Sequence, residues 1–127
     1  MSGVELKSYR AAMEATFTFP PELQTEIQYK SVTVRELSAS MESLALARAG
    51  MDGSKLVHEL VKESIVRAVK VDGTVEQIST GDDSIDIFWS AIGPKGRTLV
   101  GNAYTYFNQP KNTESQSFLG SVSINVR

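Results

Sequence analysis

Histidine, clustered carboxylates and a glycine-lysine run are the places in this sequence where chemistry could reside. His58 is the sole histidine and cysteine is absent, so a Ser-His-Asp triad would have to be built on that one imidazole. It stands among Lys55, Glu59 and Lys62 beside the apolar face of a helical pattern, which fits a solvated helix histidine better than a general base. Asp82, Asp83 and Asp86 could gather a divalent cation, but their spacing lacks the alternating ligands, central glycine and distal glutamate of an EF-hand loop. Acids at the start of a helix complement its dipole, and that accounts for all three. Glu59 and Glu63 share a helical face, and paired acids can do acid–base work. On an exposed helix next to Lys62 they read instead as solvated ion-pair partners. Gly50-Met51-Asp52-Gly53-Ser54-Lys55 has the residue types of a phosphate loop, but the lysine follows the serine and no buried strand comes first, so it predicts a turn between helices. These patterns imply no catalytic residue, no metal site and no cofactor.

Adhesive residues give the stronger signal. Lys95 and Arg97 fall in the first turn of a predicted helix, where the positive end of the dipole disfavours cations, so the pair reads either as simply solvated or as facing a partner carboxylate. Trp89, Tyr104, Tyr106 and Phe107 belong to the side-chain class that anchors interfaces. Tyr106 lies off the Leu99/Ala103/Phe107 stripe, and Tyr9 sits in the first stretch of the chain, so both are candidate partner contacts. Val122, Ile124 and Val126 alternate with polar residues and predict a final strand. That strand and the one at 15–19 are candidate edges, able to pair with each other or with a neighbour's sheet.

The elements that must position these residues follow from periodicity and punctuation. At 127 residues the chain predicts one domain of ordinary size, over 13–127, preceded by a flexible arm at 1–12. Ala15-Thr16-Phe17-Thr18-Phe19 alternates as a half-buried strand does, and Pro20-Pro21 stops it. A loop from Pro20 to Thr25 then leads to a second alternation at Ile27-Gln28-Tyr29-Lys30, leaving Thr16, Thr18, Gln28 and Lys30 on the wet face. Thr33-Val34-Arg35-Glu36 matches a capping box and predicts a helix start. Leu37, Met41, Leu44 and Ala45 continue that helix to Gly50, and a second helix from Ser54 presents Leu56, Val57, Leu60 and Val61, which together make a helical hairpin. Asp72-Gly73 predicts a type I′ turn in a β-hairpin over 66–77. Ile85, Phe88, Trp89 and Ile92 form one helix face, Gly93-Pro94 punctuates, and Leu99, Val100, Ala103, Tyr104 and Phe107 make the stripe of the next helix. Trp89, Leu99, Ala103 and Phe107 are expected to be buried. A helical turn at 113–119 precedes the last strand. The sum is an α+β domain: a small, mostly antiparallel sheet packed by a helical hairpin and a further helix pair.

Composition sets outer bounds. The formal charge is −2, with 13 basic residues scattered among 15 acidic ones, which is unsuited to the phosphate contacts that carry nucleic-acid binding. No apolar run approaches the ~18 residues that span a bilayer, and the first residues lack the apolar core of a signal peptide. A cytosolic protein is expected, with no membrane partner.

A further reading comes from likeness. Ser64-Ile65-Val66-Arg67-Ala68-Val69, Val71-Asp72-Gly73, Phe88-Trp89, Ile92-Gly93-Pro94-Lys95-Gly96-Arg97, Leu99-Val100, Ala103-Tyr104 and Asn108-Gln109-Pro110 resemble small tail proteins of tailed bacteriophages. More narrowly, they are similar to baseplate hub-assembly proteins and tail assembly chaperones. The likeness runs from Thr33 to near Val126. Ile92 stands where the family motif has leucine, and Gly96 and Gly101 add flexibility to a helix expected to be rigid. The resemblance implies a non-enzymatic protein that binds other phage tail or baseplate proteins during virion morphogenesis, in the host cytoplasm, with a homo-oligomer as a further possibility. The alternative it leaves open is a permanent structural component of the virion, in tail, baseplate or neck.

Overall fold

The computed structural model describes residues 13–108. The predicted arm at 1–12 with Tyr9, the helical turn at 113–119 and the strand carrying Val122, Ile124 and Val126 lie outside the described residues. Within them the chain forms an α+β fold of four strands and five helices, the strands all antiparallel in the order β1-β2-β3-β4.

The alternation at 15–19 yields β1 (Glu14–Thr18), in which Ala15 and Phe17 are half-buried while Glu14, Thr16 and Thr18 face water. β1 pairs with β2 (Tyr29–Arg35), Phe17 opposite Val32 and Ala15 opposite Val34. Two expectations fail at this pair. The stretch after Pro20 is a helix, α1 (Pro21–Ile27), rather than a loop. Pro21 occupies its first turn, where a missing amide hydrogen breaks no bond, and Leu23 and Ile27, four apart, both drop into the core. Thr33 begins no helix: it lies inside β2, its hydroxyl 2.8 Å from that of Thr16 across the ladder. The β-branched run Val32-Thr33-Val34, set between two neighbouring strands, outweighs a capping pattern that is satisfied only if the backbone turns helical.

Helix formation starts five residues later. In α2 (Ala39–Ala49) the Ser38 hydroxyl accepts from the Met41 amide at 3.3 Å, and Gly50, at φ 63°, ends it. Asp52 then caps α3 (Gly53–Ser64), accepting from the Ser54 amide (3.0 Å), the Ser54 hydroxyl (2.7 Å) and the Lys55 amide (3.4 Å). The glycine-lysine run is therefore a corner between helices, and the amides a phosphate would need are taken by an internal carboxylate. α2 turns its small residues Ala45 and Ala49 inward, which leaves Leu44 and Leu46 exposed, and Val57 of α3 is exposed too, against the expectation for Leu44 and Val57.

α3 passes without a linker into β3 (Ile65–Lys70), which returns through β4 (Val75–Gln77). The hairpin is as predicted but its turn is not type I′. The Lys70 carbonyl accepts from the Gly73 amide at 2.9 Å, the Lys70 amide donates to Thr74 at 2.8 Å, and Gly73 alone among the loop residues has positive φ, 93°. This is a three-residue loop, a type I turn closed by a glycine bulge. Asp72 has no positive φ and accepts from the Thr74 amide at 2.9 Å.

α4 (Ser84–Ala91) and α5 (Gly93–Asn108) complete the helical layer. The core lies between that layer and one sheet face, with Leu23, Val61, Phe88, Ile92, Val100 and Tyr104 packed on Tyr29, Val32 and Ala68. The buried stripe of α5 is rotated from its expected position. Gly96, Val100, Ala103 and Tyr104 are buried, whereas Leu99 is 36% exposed and Phe107 and Trp89 are half-buried. Gly96 explains the rotation, because a methyl group built there would lie 2.6 Å from Cβ of the buried Ile92. It is a position of close approach and adds no flexibility, while Gly101 faces open space.

The two glycines should respond oppositely to alanine. Gly101→Ala raises the unfolding free energy by about 0.5–1 kcal/mol through helix propensity. Gly96→Ala has the same propensity gain but lowers stability by about 1–3 kcal/mol through overpacking against Ile92. Urea denaturation of both variants checks this, and a stabilising Gly96→Ala would refute the packing account.

Candidate functional site

α5 packs over the central strand β2 and leaves the helix-facing side of β1 partly uncovered. The resulting groove, about 310 Å³ in volume, is lined by Phe17, Phe19 and Pro20 on one wall, Leu99, Ala103 and Tyr106 on the other, and Val32 and Val100 beneath. Leu99, Ala103 and Tyr106 line one wall because steps of three and four residues stay on one helical face. Phe17 meets Tyr106 edge to face, with ring centroids 6.3 Å apart. A second concavity of about 520 Å³ shares Pro20 and Leu99 and adds Glu22, Leu23, Glu26, Lys95 and Thr98. β1 flanks the groove as an edge strand among the described residues.

Of the predicted contact residues, Tyr106 and Lys95 line these adjoining concavities. The carboxylate expected for Lys95 is internal, since its ammonium lies 3.9 Å from Glu26 of α1, both groups well exposed. A pair of that kind contributes little to stability. Arg97 points elsewhere, donating to the Trp89 carbonyl at 2.8 Å. It thus sits at the negative end of α4, which offsets its unfavourable place at the start of α5. Tyr9, Val122, Ile124 and Val126 lie outside the described residues.

A polar cluster on the other side of the helical layer was not legible as such in the sequence. Glu63, read above as a solvated acid, is buried with its side chain 5% exposed. Its Oε1 accepts from Arg48 at 2.8 Å and from the Thr80 hydroxyl at 2.9 Å. Its Oε2 lies 3.4 Å from Arg35, which also donates to the Glu63 carbonyl at 3.0 Å. Glu59 accepts from Arg48 at 2.7 Å, and Lys62 lies between Glu59 (3.7 Å) and Asp86 (3.9 Å). Burial pulls the Arg48 guanidinium down, but its hydrogen bonds to Glu59 and Glu63 outweigh that and hold it above the ordinary arginine value. With both oxygens engaged by cations and a hydroxyl, Glu63 acts as a fixed anion that joins elements. The two arginines lie 28 and 15 residues away in sequence, so no local spacing announces the arrangement.

The remaining reactive types are placed as structural groups. His58 is exposed on α3 and meets Trp89 edge to face at 6.1 Å. Asp82 accepts from the amide and hydroxyl of Ser84 at the start of α4, and those two bonds hold its carboxyl below the usual range. Among the described residues no group of three or more histidine, aspartate or glutamate side chains is placed to hold a metal ion, and no helix is long and apolar enough to cross a membrane. The chain matches no family model, no curated protein and no solved structure.

Glu63→Ala should lower stability near neutral pH by about 2–3 kcal/mol, below the range for breaking a fully buried pair because water reaches both arginines; urea unfolding measures it. A second expectation concerns alkali. Tyr29 is buried against Phe88 and donates to Glu76 at 2.6 Å. Burial first, then the Glu76 hydrogen bond and charge, push its phenol well above the ordinary value of 10.0. A folded pKa raised above the unfolded one adds stability that is present below about pH 10 and lost as pH climbs beyond it. The urea midpoint should therefore fall above that pH, and Tyr29→Phe should flatten this alkaline limb.

Proposed function

We propose that the chain is a non-enzymatic assembly protein of a tailed bacteriophage, binding other tail or baseplate proteins in the host cytoplasm during virion morphogenesis. The observation that carries this reading is the apolar groove beside the edge strand β1. A partner segment in extended conformation can add to the backbone of such an edge and lay alternate apolar side chains into the groove. Glu22, Glu26 and Lys95 at the adjoining concavity provide charges that set register more than affinity. The phage setting is taken from the resemblance at the Gly93-Pro94 junction and the Asp72-Gly73 hairpin. Engaged as it is, the Glu63 cluster supports adhesion over reaction.

Two measurements test the proposal. Leu99→Asp, at an exposed position on the groove wall, should keep its unfolding free energy within about 0.5 kcal/mol. The same variant should weaken binding to co-expressed tail proteins at least tenfold, about 1.4 kcal/mol; undiminished binding would remove the groove from the account. Mass spectrometry of purified particles should find the chain absent. Stoichiometric presence would assign it instead as a permanent part of the virion.

A further inference from the structure

α3 carries a polar stripe that shares no residue with the apolar groove. Lys55, His58, Glu59 and Lys62 follow one another at steps of three, one and three residues and lie on one helical face. Arg48 of α2 reaches this stripe at Glu59, and Trp89 of α4 reaches it at His58 and Lys62. The six side chains line a recess of about 410 Å³. Three of them are permanent cations and one is a carboxylate, in a chain whose formal charge is −2. Glu63, behind Arg48, does not restore the balance, because Arg35 shares it.

Several donors of the recess have no acceptor among the described residues. Lys55 has no carboxylate partner there, and Arg48 donates through Nε and Nη2, leaving Nη1 unused. The indole N–H of Trp89 is likewise without an acceptor. Since no buried side-chain nitrogen or oxygen of the described residues lacks a partner, that N–H is open to solvent. Lys55 is also placed against stability. It is the third residue of α3 after the Asp52 cap, where a glutamate would close a capping box and where the dipole disfavours a cation. The amides of this helix start are held by Asp52, so side chains, and not the helix end, make the recess. A locally unfavourable charge left without a partner is the kind of violation that functional positions carry.

We infer that this recess docks an acidic segment of a partner protein, whose carboxylates accept from Lys55, Arg48 Nη1 and the Trp89 N–H. Lys62, held between Glu59 and Asp86 and over the Trp89 ring at 5.8 Å, adds a fixed positive field at the far end. Lys55 and Lys62 are roughly 10 Å apart along the helix at 1.5 Å per residue. That span suits carboxylates two or three residues apart in an extended segment, roughly 7–10 Å, better than one small anion. Contacts of this kind set encounter rate and salt dependence.

Trp89 is the sole tryptophan, so its emission reads the recess directly in the full chain, and calorimetry covers binding without a spectral change. At low ionic strength a short peptide of alternating glutamate and serine should bind saturably, and its glutamine counterpart at least tenfold more weakly. Lys55→Glu should weaken the glutamate peptide at least tenfold while the urea midpoint holds or rises, since an acid suits that helical position. Should that variant lower the midpoint, Lys55→Gln carries the same comparison. Unchanged affinity on replacing Lys55, or no binding by either readout, would leave the stripe as a surface ion network. Inorganic phosphate binding as tightly as the peptide would make it a small-anion site, and tighter binding of an oligothymidylate a nucleic-acid surface. Each of these results overturns the inference, and none depends on whether the groove takes a tail protein.

Discussion

The Glu63 carboxylate is the constraint on which the arrangement of elements depends. It sits at the corner where α3 becomes β3, and its partners come from three other places: Arg35 at the end of β2, Arg48 on α2 and Thr80 before α4. α2 buries chiefly Ala45 and Ala49, side chains too small to fix a helix by apolar area alone. Its orientation therefore rests on Arg48, which spans Glu59 and Glu63. A buried ion pair is a weak source of stability once desolvation is counted, and its value here lies in specifying one geometry among similar packings.

Opposite this polar corner the fold closes by other means. α5 is clamped at one end by Gly96, whose missing side chain lets Ile92 approach, and at the other by Asn108, whose amide satisfies backbone groups of Arg35 and Leu37. Between these two points the helix spans β2 and leaves the side of β1 open. The groove is thus a product of where α5 is anchored. Its lining is apolar and its flanking charge sparse, and β1 is a sheet edge among the described residues.

Elements with strong local signals could be read directly: the alternation of β1, the β3–β4 hairpin around Asp72-Gly73, the Gly50 stop and the Gly93-Pro94 junction. The errors share one cause, competition between a local pattern and distant neighbours. Thr33 has a capping pattern, yet Thr16 and two flanking strands claim it. Pro20-Pro21 ends a strand equally well before a loop or a helix, and the core's demand for Leu23 and Ile27 selects the helix. Leu99 and Val100 are equally apolar, and only Gly96 against Ile92 decides which one turns inward. The groove is half legible, since Tyr106 and Lys95 stand out in the sequence while Phe17, Phe19 and Ala103 read there only as structural residues. Glu63 was missed because a buried acid and a solvated one look alike until their arginines arrive from elsewhere in the chain.

The direct passage from α3 into β3 also bears on how the sheet closes. β2 and β3 make the central ladder of the sheet, yet everything from Glu36 to Ser64 lies between them. With no slack at Ser64–Ile65, that intervening helix pair has a fixed span and works as a caliper that delivers β3 to its register. Helical hairpins assemble from near neighbours in microseconds, whereas ladders between distant segments wait on loop closure. The β2–β3 ladder, whose partners lie farther apart in sequence than those of β1–β2 or β3–β4, is accordingly the pairing with the greatest closure cost in this sheet.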